Sequence, residues 1–409
     1  MSDPIEARVG AKARRQYDPP DSPSSVGWTR AERVRIADAG SPLRLDCGRL
    51  LAPVDVEYEA YGTLSPERDN VIVVAPALSG GSHAAGWSAD ADELGRPWEK
   101  TRPGWWDDCI GPGKAFDTTR YCVISASLLG GCYGTAGPSD PDPSTGKPYG
   151  LRFPMVTVGD WVETQARLLD KLGVERIAAV AGGSLGGQQA IEWGLRFPGR
   201  VRGTVVLAAS ASLQPMGLAL NVVAREAITN DPDFRGGDFY EPGPDGIIRR
   251  PDGGLRAARM LGHISYLSAE SLAVKCGRRL QDRDEIGWSF EPEFQVEGYL
   301  SHVSRSFAER FDANTYLYIT RAMDYYDAAV WGDGDLVRAA ERVECGSLVV
   351  SFRSDWLYPP EDCKRWADAL SAAGKRVTYI EVPSTYGHDA FLLEVDAVTE
   401  AVREFLGGL

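Results

Sequence analysis

"VAGGSLGGQQAIEW", Val180 to Trp193, places one serine among four glycines, with an apolar run before it and a helix-like pattern after it. Within it Gly182-Gly183-Ser184-Leu185-Gly186 fits G-x-S-x-G, the pattern of a strand that turns sharply into a helix with a nucleophile on the turn. Side chains at the flanking positions would obstruct so tight a turn, and glycine removes them. Ser184 would then project above a sheet, and the backbone N–H of Leu185, at the helix start, would point at a developing oxyanion. A glycine-rich phosphate loop or a plain strand-to-helix turn would carry the same glycines, so the rest of the chain has to decide.

Outward from this turn, short and wholly apolar runs read as buried strands: "NVIVVAPAL", "YCVISASL", "IAAVAGGS", "VRGTVVLAAS", "SLVVSF" and "VTYIEVP". Helical patterns such as "TVGDWVETQARLLDKLG" and "DCKRWADALSAAG" lie between several of them. Strand, helix, strand repetition means an α/β fold, a parallel sheet with helices on both faces. Ahead of it, "LRLDCGRLLAPVDVEYEAYGTL" alternates apolar and polar residues and predicts a pair of antiparallel strands. The repetition breaks between about Gln214 and Ala340, where the patterns are helical. Residues 212–340 are therefore expected to form a helical lid inserted over the C-terminal edge of the sheet, between two parts of one core, 41–211 and 341–409. Residues 1–40, with "DPPDSPSS" in their middle, are expected to be a mobile tail.

The 409 residues are 43% hydrophobic and carry a formal net charge of −14, which speaks against nucleic-acid binding or a polybasic membrane surface. Any anionic substrate must therefore meet local arginines. No apolar stretch is long enough to span a membrane, and the N-terminus lacks the apolar centre of a secretion signal, so a cytoplasmic protein is expected. The seven cysteines form no CxxC pair and no cluster with metal-ligand spacing; free thiols and no metal site are expected.

A serine hydroxyl needs a base, itself oriented by an acid. Of four histidines, His263 and His302 fall in lid patterns and read as packed or solvated. His83, in "SGGSHAAG", follows an expected strand and could line the site. His388, in "PSTYGHDAF", lies in the loop after the last expected strand, and Asp355, in "SFRSDWLYPP", in the loop after the preceding one. Ser184, Asp355, His388 is the order of serine, acid and base in an α/β-hydrolase triad, which favours the nucleophile reading of Ser184.

The chain resembles the homoserine O-acetyltransferase family of the α/β-hydrolase superfamily from about residue 43 to the C-terminus. The resemblance rests on "GWWDDCIGPGKAFDTTRYCVISASLLGGCYGTAGPSDPDPSTGKPYGLRFP", "GGSLGGQQAIEW", "GGDFY" followed by "ARMLGHISYLS", and "SDWLYPPE" with "YGHDAF". It implies acyl transfer from acetyl-CoA, a co-substrate rather than a bound cofactor, to the hydroxyl of homoserine through an acyl-enzyme, on the way to methionine. It also implies Ser184 as nucleophile, His388 as base and Asp355 as its partner. Backbone N–H groups of Leu185 and Leu78 are implied as oxyanion donors, Asp389 as the holder of the substrate ammonium, and Arg225 and Tyr240 as the binders of its carboxylate. A homodimer through the lid helices is implied as well. An amino-acid zwitterion does need a cation and an anion at opposite ends of its site, which Arg225 on a lid helix and Asp389 on a loop could supply.

Departures from the family pattern are Leu185, where Met is usual, and "PALSGGSH", where "HALTGDAH" is common. Rival readings keep the mechanism with succinyl-CoA as donor or serine or another alcohol as acceptor, or let water resolve the acyl-enzyme, as in an esterase. A non-catalytic scaffold would predict a lost triad member, and none is lost.

Overall fold

In a computed structural model, which describes residues 17–243 and 245–409, eight strands form one sheet. They are β1 (Glu32–Ala37), β2 (Val54–Tyr61), β3 (Val71–Val74), β4 (Cys122–Ala126), β5 (Ala179–Gly183), β6 (Gly203–Leu207), β7 (Gly346–Phe352) and β8 (Val377–Val382), in the order β8-β7-β6-β5-β3-β4-β2-β1. Neighbours from β8 to β4 are parallel, whereas β2 runs antiparallel to both β4 and β1. The six apolar runs expected as strands are β3 to β8. The expected antiparallel pair becomes a two-residue ladder, Leu43–Arg44 against Leu50–Leu51, followed by β2.

Side chains along the sheet alternate between its faces. Val71, Val73, Val180, Val206 and Val349 pack on one side with Trp161 of α1 (Val158–Lys171), Trp193 of α2 (Leu185–Arg196) and Trp366 of a later helix (Pro360–Ala372). Ile72, Val74, Ala181, Val205, Leu207 and Val350 pack on the other with Val398, Ala401, Val402 and Leu406 of the C-terminal helix (Val395–Gly407). Each large apolar side chain buried this way contributes about 1.5–3 kcal/mol, which is why wholly apolar strands end up central. Helix α1 starts where its sequence provides a capping box: Thr157 accepts from the Asp160 N–H at 3.1 Å, and Asp160 from the Thr157 N–H at 2.9 Å.

Between β6 and β7 run α3 (Pro215–Thr229), α4 (Asp252–Tyr266), α5 (Ala269–Lys275), α6 (Gln295–Ala308), α7 (Ala313–Tyr325) and α8 (Leu336–Ala340), in the span 212–340 where helices were expected. Beyond β7, the helix Pro360–Ala372 is α9, Ala390–Leu393 is α10 and Val395–Gly407 is α11.

The expectation of a mobile tail over residues 1–40 is corrected. Residues 1–16 lie outside the described residues, but Glu32–Ala37 is an edge strand paired with β2, and Trp28–Thr29 pairs with Trp87–Ser88. Arg33 and Arg35 on β1 meet Glu57 and Asp55 on β2, the Tyr58 hydroxyl donates to Glu32 at 2.7 Å, and Ile36 and Ala37 are buried. Cross-strand partners of this kind hold an edge strand whose own composition is polar. Among the described residues, no helix is long and apolar enough to cross a membrane.

Candidate active site

The sheet order reverses beside β3: the next strand, β4, lies on one side of it and β5 on the other. Loops leaving two such strands at their C-terminal ends part and leave a crevice. Here the loop after β3 carries Leu78 and Ser79, and the turn after β5 carries Ser184.

Ser184 has φ 57° and ψ −124°, a backbone conformation that costs a non-glycine residue about 1–3 kcal/mol. Its glycine neighbours are needed for room rather than for an unusual φ. A Cβ on Gly182 would lie 2.3 Å from the backbone of Gly186, and one on Gly186 2.3 Å from the carbonyl of Ala75. Strand β5, helix α2 and the end of β3 thus touch backbone to backbone around the serine. Leu185 opens α2, where an N–H has no preceding turn to bond.

His388 and Asp355 arrive from the loops after β8 and β7. His388 Nδ1 lies 2.7 Å from Asp355 Oδ2, and both residues are only 2% exposed. A carboxylate only accepts, so Nδ1 carries the proton. The other Asp355 oxygen accepts from the N–H groups of Leu357 and Tyr358 at 3.0 and 2.9 Å, and the Tyr358 ring stacks on the imidazole at 5.2 Å. His388 Nε2 is buried and has no hydrogen-bond partner among the described residues. Burial pulls the imidazole pKa down, but the charge and hydrogen bond of Asp355, with the charge of Asp389, outweigh it and leave it raised. An imidazole held at one nitrogen and open at the other is arranged to take and return a proton.

Ser184, His388 and Asp389 line one cleft of about 240 Å³ together with Leu78, Leu357 and residues of α3, α4 and α7. The helices are tied to the loops beneath. Ser268, just past α4, donates to the carbonyl of Thr385, and Trp356 Nε1 donates to the carbonyl of Leu267 at 3.0 Å. Gly387 passes so close that a Cβ there would sit 2.5 Å from the Ser268 nitrogen.

Two expected substrate-binding residues are not in this cleft. Arg225 lies on α3 but turns away, donating to Asp324 of α7 at 2.5 Å, where Asn221 also donates at 2.8 Å. The pair is buried, so Arg225 fastens α3 to α7. Tyr240 donates to Asp312 at 3.0 Å and accepts from Asn314 at 3.1 Å, also within the helical layer. The cleft's arginine is instead Arg259 of α4, within the quoted "ARMLGHISYLS". Its guanidinium lies 5.4 Å from the ring of Tyr266 and 4.4 Å from that of Phe307, and its Nε is buried without a hydrogen-bond partner among the described residues. Burial pushes the Tyr266 hydroxyl pKa up, and Arg259 and Asp389 both lie close enough to act on it, the cation lowering it and the anion raising it. Spacing alone could not choose between Arg225 and Arg259, since both stand on amphipathic helices; the motif around Arg259 was the available signal.

The family model for the alpha/beta hydrolase fold matches residues 70–395. A homoserine O-succinyltransferase of Magnetococcus marinus is 48% identical over 385 residues, 94% of this chain and 95% of that protein. The chain belongs to the homoserine O-acyltransferase family. A homoserine O-acetyltransferase of Methanosalsum zhilinae is 46% identical over 90% of this chain and 71% of its own length. A crystal structure of homoserine O-acetyltransferase from Bacillus anthracis superposes with a TM-score of 0.81 at 28% identity, covering 92% of this chain and 97% of that one. Relatives of this homoserine O-acyltransferase family at nearly equal identity thus carry different donor names, so overall similarity does not select the donor.

Of the remaining histidines, His263 of α4 lines the cleft, its pKa lowered to about 3 by burial and by neighbouring Arg259 and Lys275. His302 is exposed on α6. His83 lines a separate cavity described below.

Proposed function

We propose that the protein moves an acetyl group from acetyl-CoA to the side-chain hydroxyl of L-homoserine through a seryl acyl-enzyme, a step toward methionine. The observation that carries this reading is His388, bonded to Asp355 at one nitrogen and open at the other in the cleft that Ser184 lines. His388 Nε2 takes the Ser184 proton as Oγ attacks the thioester carbonyl. The tetrahedral oxyanion is held by the N–H groups of Leu185 and Leu78, and CoA leaves as a thiol carrying the proton from His388. The homoserine hydroxyl then gives its proton to His388 and attacks the acyl-serine, and Ser184 regains its proton as the ester departs.

Arg259 holds the homoserine carboxylate and Asp389 its ammonium, both lining the cleft with Tyr266. With Arg259 so engaged, the cleft offers a distal succinyl carboxylate no second arginine among the described residues, and Leu213, Leu220, Met323 and Leu357 line much of the remainder. That supports acetyl over succinyl; succinyl-CoA is the alternative donor. Chemistry on CoA thioesters supports a cytoplasmic location. Met216, Val222 and Val223 of α3 stand exposed and support a homodimer through the helical layer, which light scattering of wild type against Val223→Asp would test. A dimer unchanged by that charge places the interface elsewhere.

The deciding experiment is thiol release from acetyl-CoA and succinyl-CoA, each with homoserine, serine or no acceptor. Release requiring acetyl-CoA and homoserine together supports the reading. Equal release without acceptor makes the protein a hydrolase. Intact mass should show an acetyl adduct on wild type that Ser184→Ala lacks.

A further inference from the structure

Behind the wall of the Ser184 cleft lies a second cavity of about 240 Å³ that shares Ala77, Ser79, Phe391 and Leu392 with it. Nothing in the acyl-transfer chemistry above uses this cavity, yet His83, Arg96, Glu99, Arg102 and Arg310 all line it.

At its buried end are two side chains with unmet hydrogen-bonding capacity. His83 is 7% exposed, and its Nδ1 lies 3.1 Å from Glu59 Oε1, while its Nε2 has no partner among the described residues. Glu99 is 9% exposed, and its Oε2 has no partner either. Burying such groups unpaired is costly, so a site that keeps both is built for a polar occupant. Burial opposes charge on His83, but Glu59 overcomes it and leaves its pKa raised; burial likewise raises that of Glu99, against the pull of His83 and Arg96. Side by side they present hydrogen-bonding groups of the kind a secondary amide needs for its C=O and N–H.

At the open end stand Arg102, exposed, and Arg310, half-buried. Neither makes an ion pair with a carboxylate among the described residues; Arg310 donates to the Tyr133 hydroxyl at 3.1 Å and its Nε is unpartnered. Burial and then the charge of Arg310 lower the Arg102 pKa, which marks two guanidiniums close enough to repel. In a chain of net charge −14, two arginines facing one cavity without an ion pair among the described residues are an anion site by exception, with Glu99 of the same lining offsetting part of the Arg102 charge.

We propose that this cavity takes the phosphopantetheine arm of the acyl-CoA donor, with Arg102 and Arg310 on its phosphates and His83 with Glu99 on an amide. The proposal rests on the acyltransferase reading of the Ser184 cleft. An arm lying here would deliver its thioester past Ser79 and Leu392, the shared wall, to Ser184.

The test compares acetyl-CoA with acetyl-pantetheine, which keeps the amides and lacks the phosphates. In Arg102→Ala/Arg310→Ala, KM for acetyl-CoA should rise about tenfold or more while KM for acetyl-pantetheine and homoserine hold. Because Arg310 also bonds Tyr133, Arg102→Glu on the exposed residue provides a second variant, expected to act in the same direction. Added salt should raise the wild-type KM for acetyl-CoA and leave that for acetyl-pantetheine alone. Glu99→Gln should raise KM for both donors. Equal losses with both donors in the arginine variants, no loss, or a loss that follows succinyl against acetyl irrespective of the phosphates would overturn the proposal. Absence of thiol release from any acyl-CoA by wild type would sink the acyltransferase reading instead.

Discussion

His388 and Asp355 come from loops after two different strands, and their side chains meet at 2.7 Å with almost no exposure to water. The contact fixes which nitrogen carries the proton and leaves Nε2 open toward the cleft. Asp355 is itself held by two backbone N–H groups, so the orientation is supported from behind.

Only neutral imidazole can accept the Ser184 proton. Since the His388 pKa is raised, acyl transfer should be absent at low pH and appear as pH rises through that raised value. In Asp355→Asn the acid limb should move to lower pH, because the raising charge is gone, and kcat should fall about a thousandfold or more. A pH–rate profile of both proteins checks this; an unmoved limb would take Asp355 out of the role.

Arg259 and Arg225 should separate in opposite ways. Arg259→Ala should raise KM for homoserine strongly with little change in the denaturation midpoint. Arg225→Ala leaves the buried Asp324 with the neutral Asn221 amide at 2.8 Å and, as its one remaining cation among the described residues, Arg321 at 3.6 Å, and should cost about 3 kcal/mol in urea unfolding. A homoserine KM that responds to Arg225 in a fully folded variant, and not to Arg259, would restore the arginine expected from sequence.

The backbone of Ser184 stores strain that a glycine would relieve. Ser184→Gly should be inactive but more stable than wild type by about 1 kcal/mol, the relief offset in part by the greater entropy of an unfolded glycine. Thermal unfolding compared with Ser184→Ala, which keeps the strain, isolates the effect.

Gly186→Ala should fail to fold, because the added carbon meets the carbonyl of Ala75, just past β3, at 2.3 Å and neither element can move. Gly199→Ala, with nothing within 4 Å of its new Cβ, should unfold at the wild-type temperature. Equal behaviour of the two would mean that α2 does not pack this closely on the sheet.

Much of this was legible in the chain. Apolar runs of buried strands cannot be solvated on either face, so β3 to β7 and the helices between them follow from local composition, whereas β8, at the sheet edge, is only partly buried. The G-x-S-x-G turn and the order Ser184, Asp355, His388 put three groups on loops at one edge of the sheet. Strand β1 was hidden because the polar, proline-rich residues before it dominate a local reading, and its stability comes from partners on β2, 17 to 26 positions away.

The sequence by itself determined the fold class and the family, and it set Ser184, Asp355 and His388 in the chain order of a triad, since each is written in a contiguous pattern or in chain order. Tertiary structure alone decided which arginine faces the cleft. Helices α3 and α4 each carry a suitable one, and the choice was made when Asp324 of α7 captured Arg225 and left Arg259 beside Tyr266. It also decided that His83 and Glu99 line a second cavity, because a buried group's lack of a partner depends on everything packed around it.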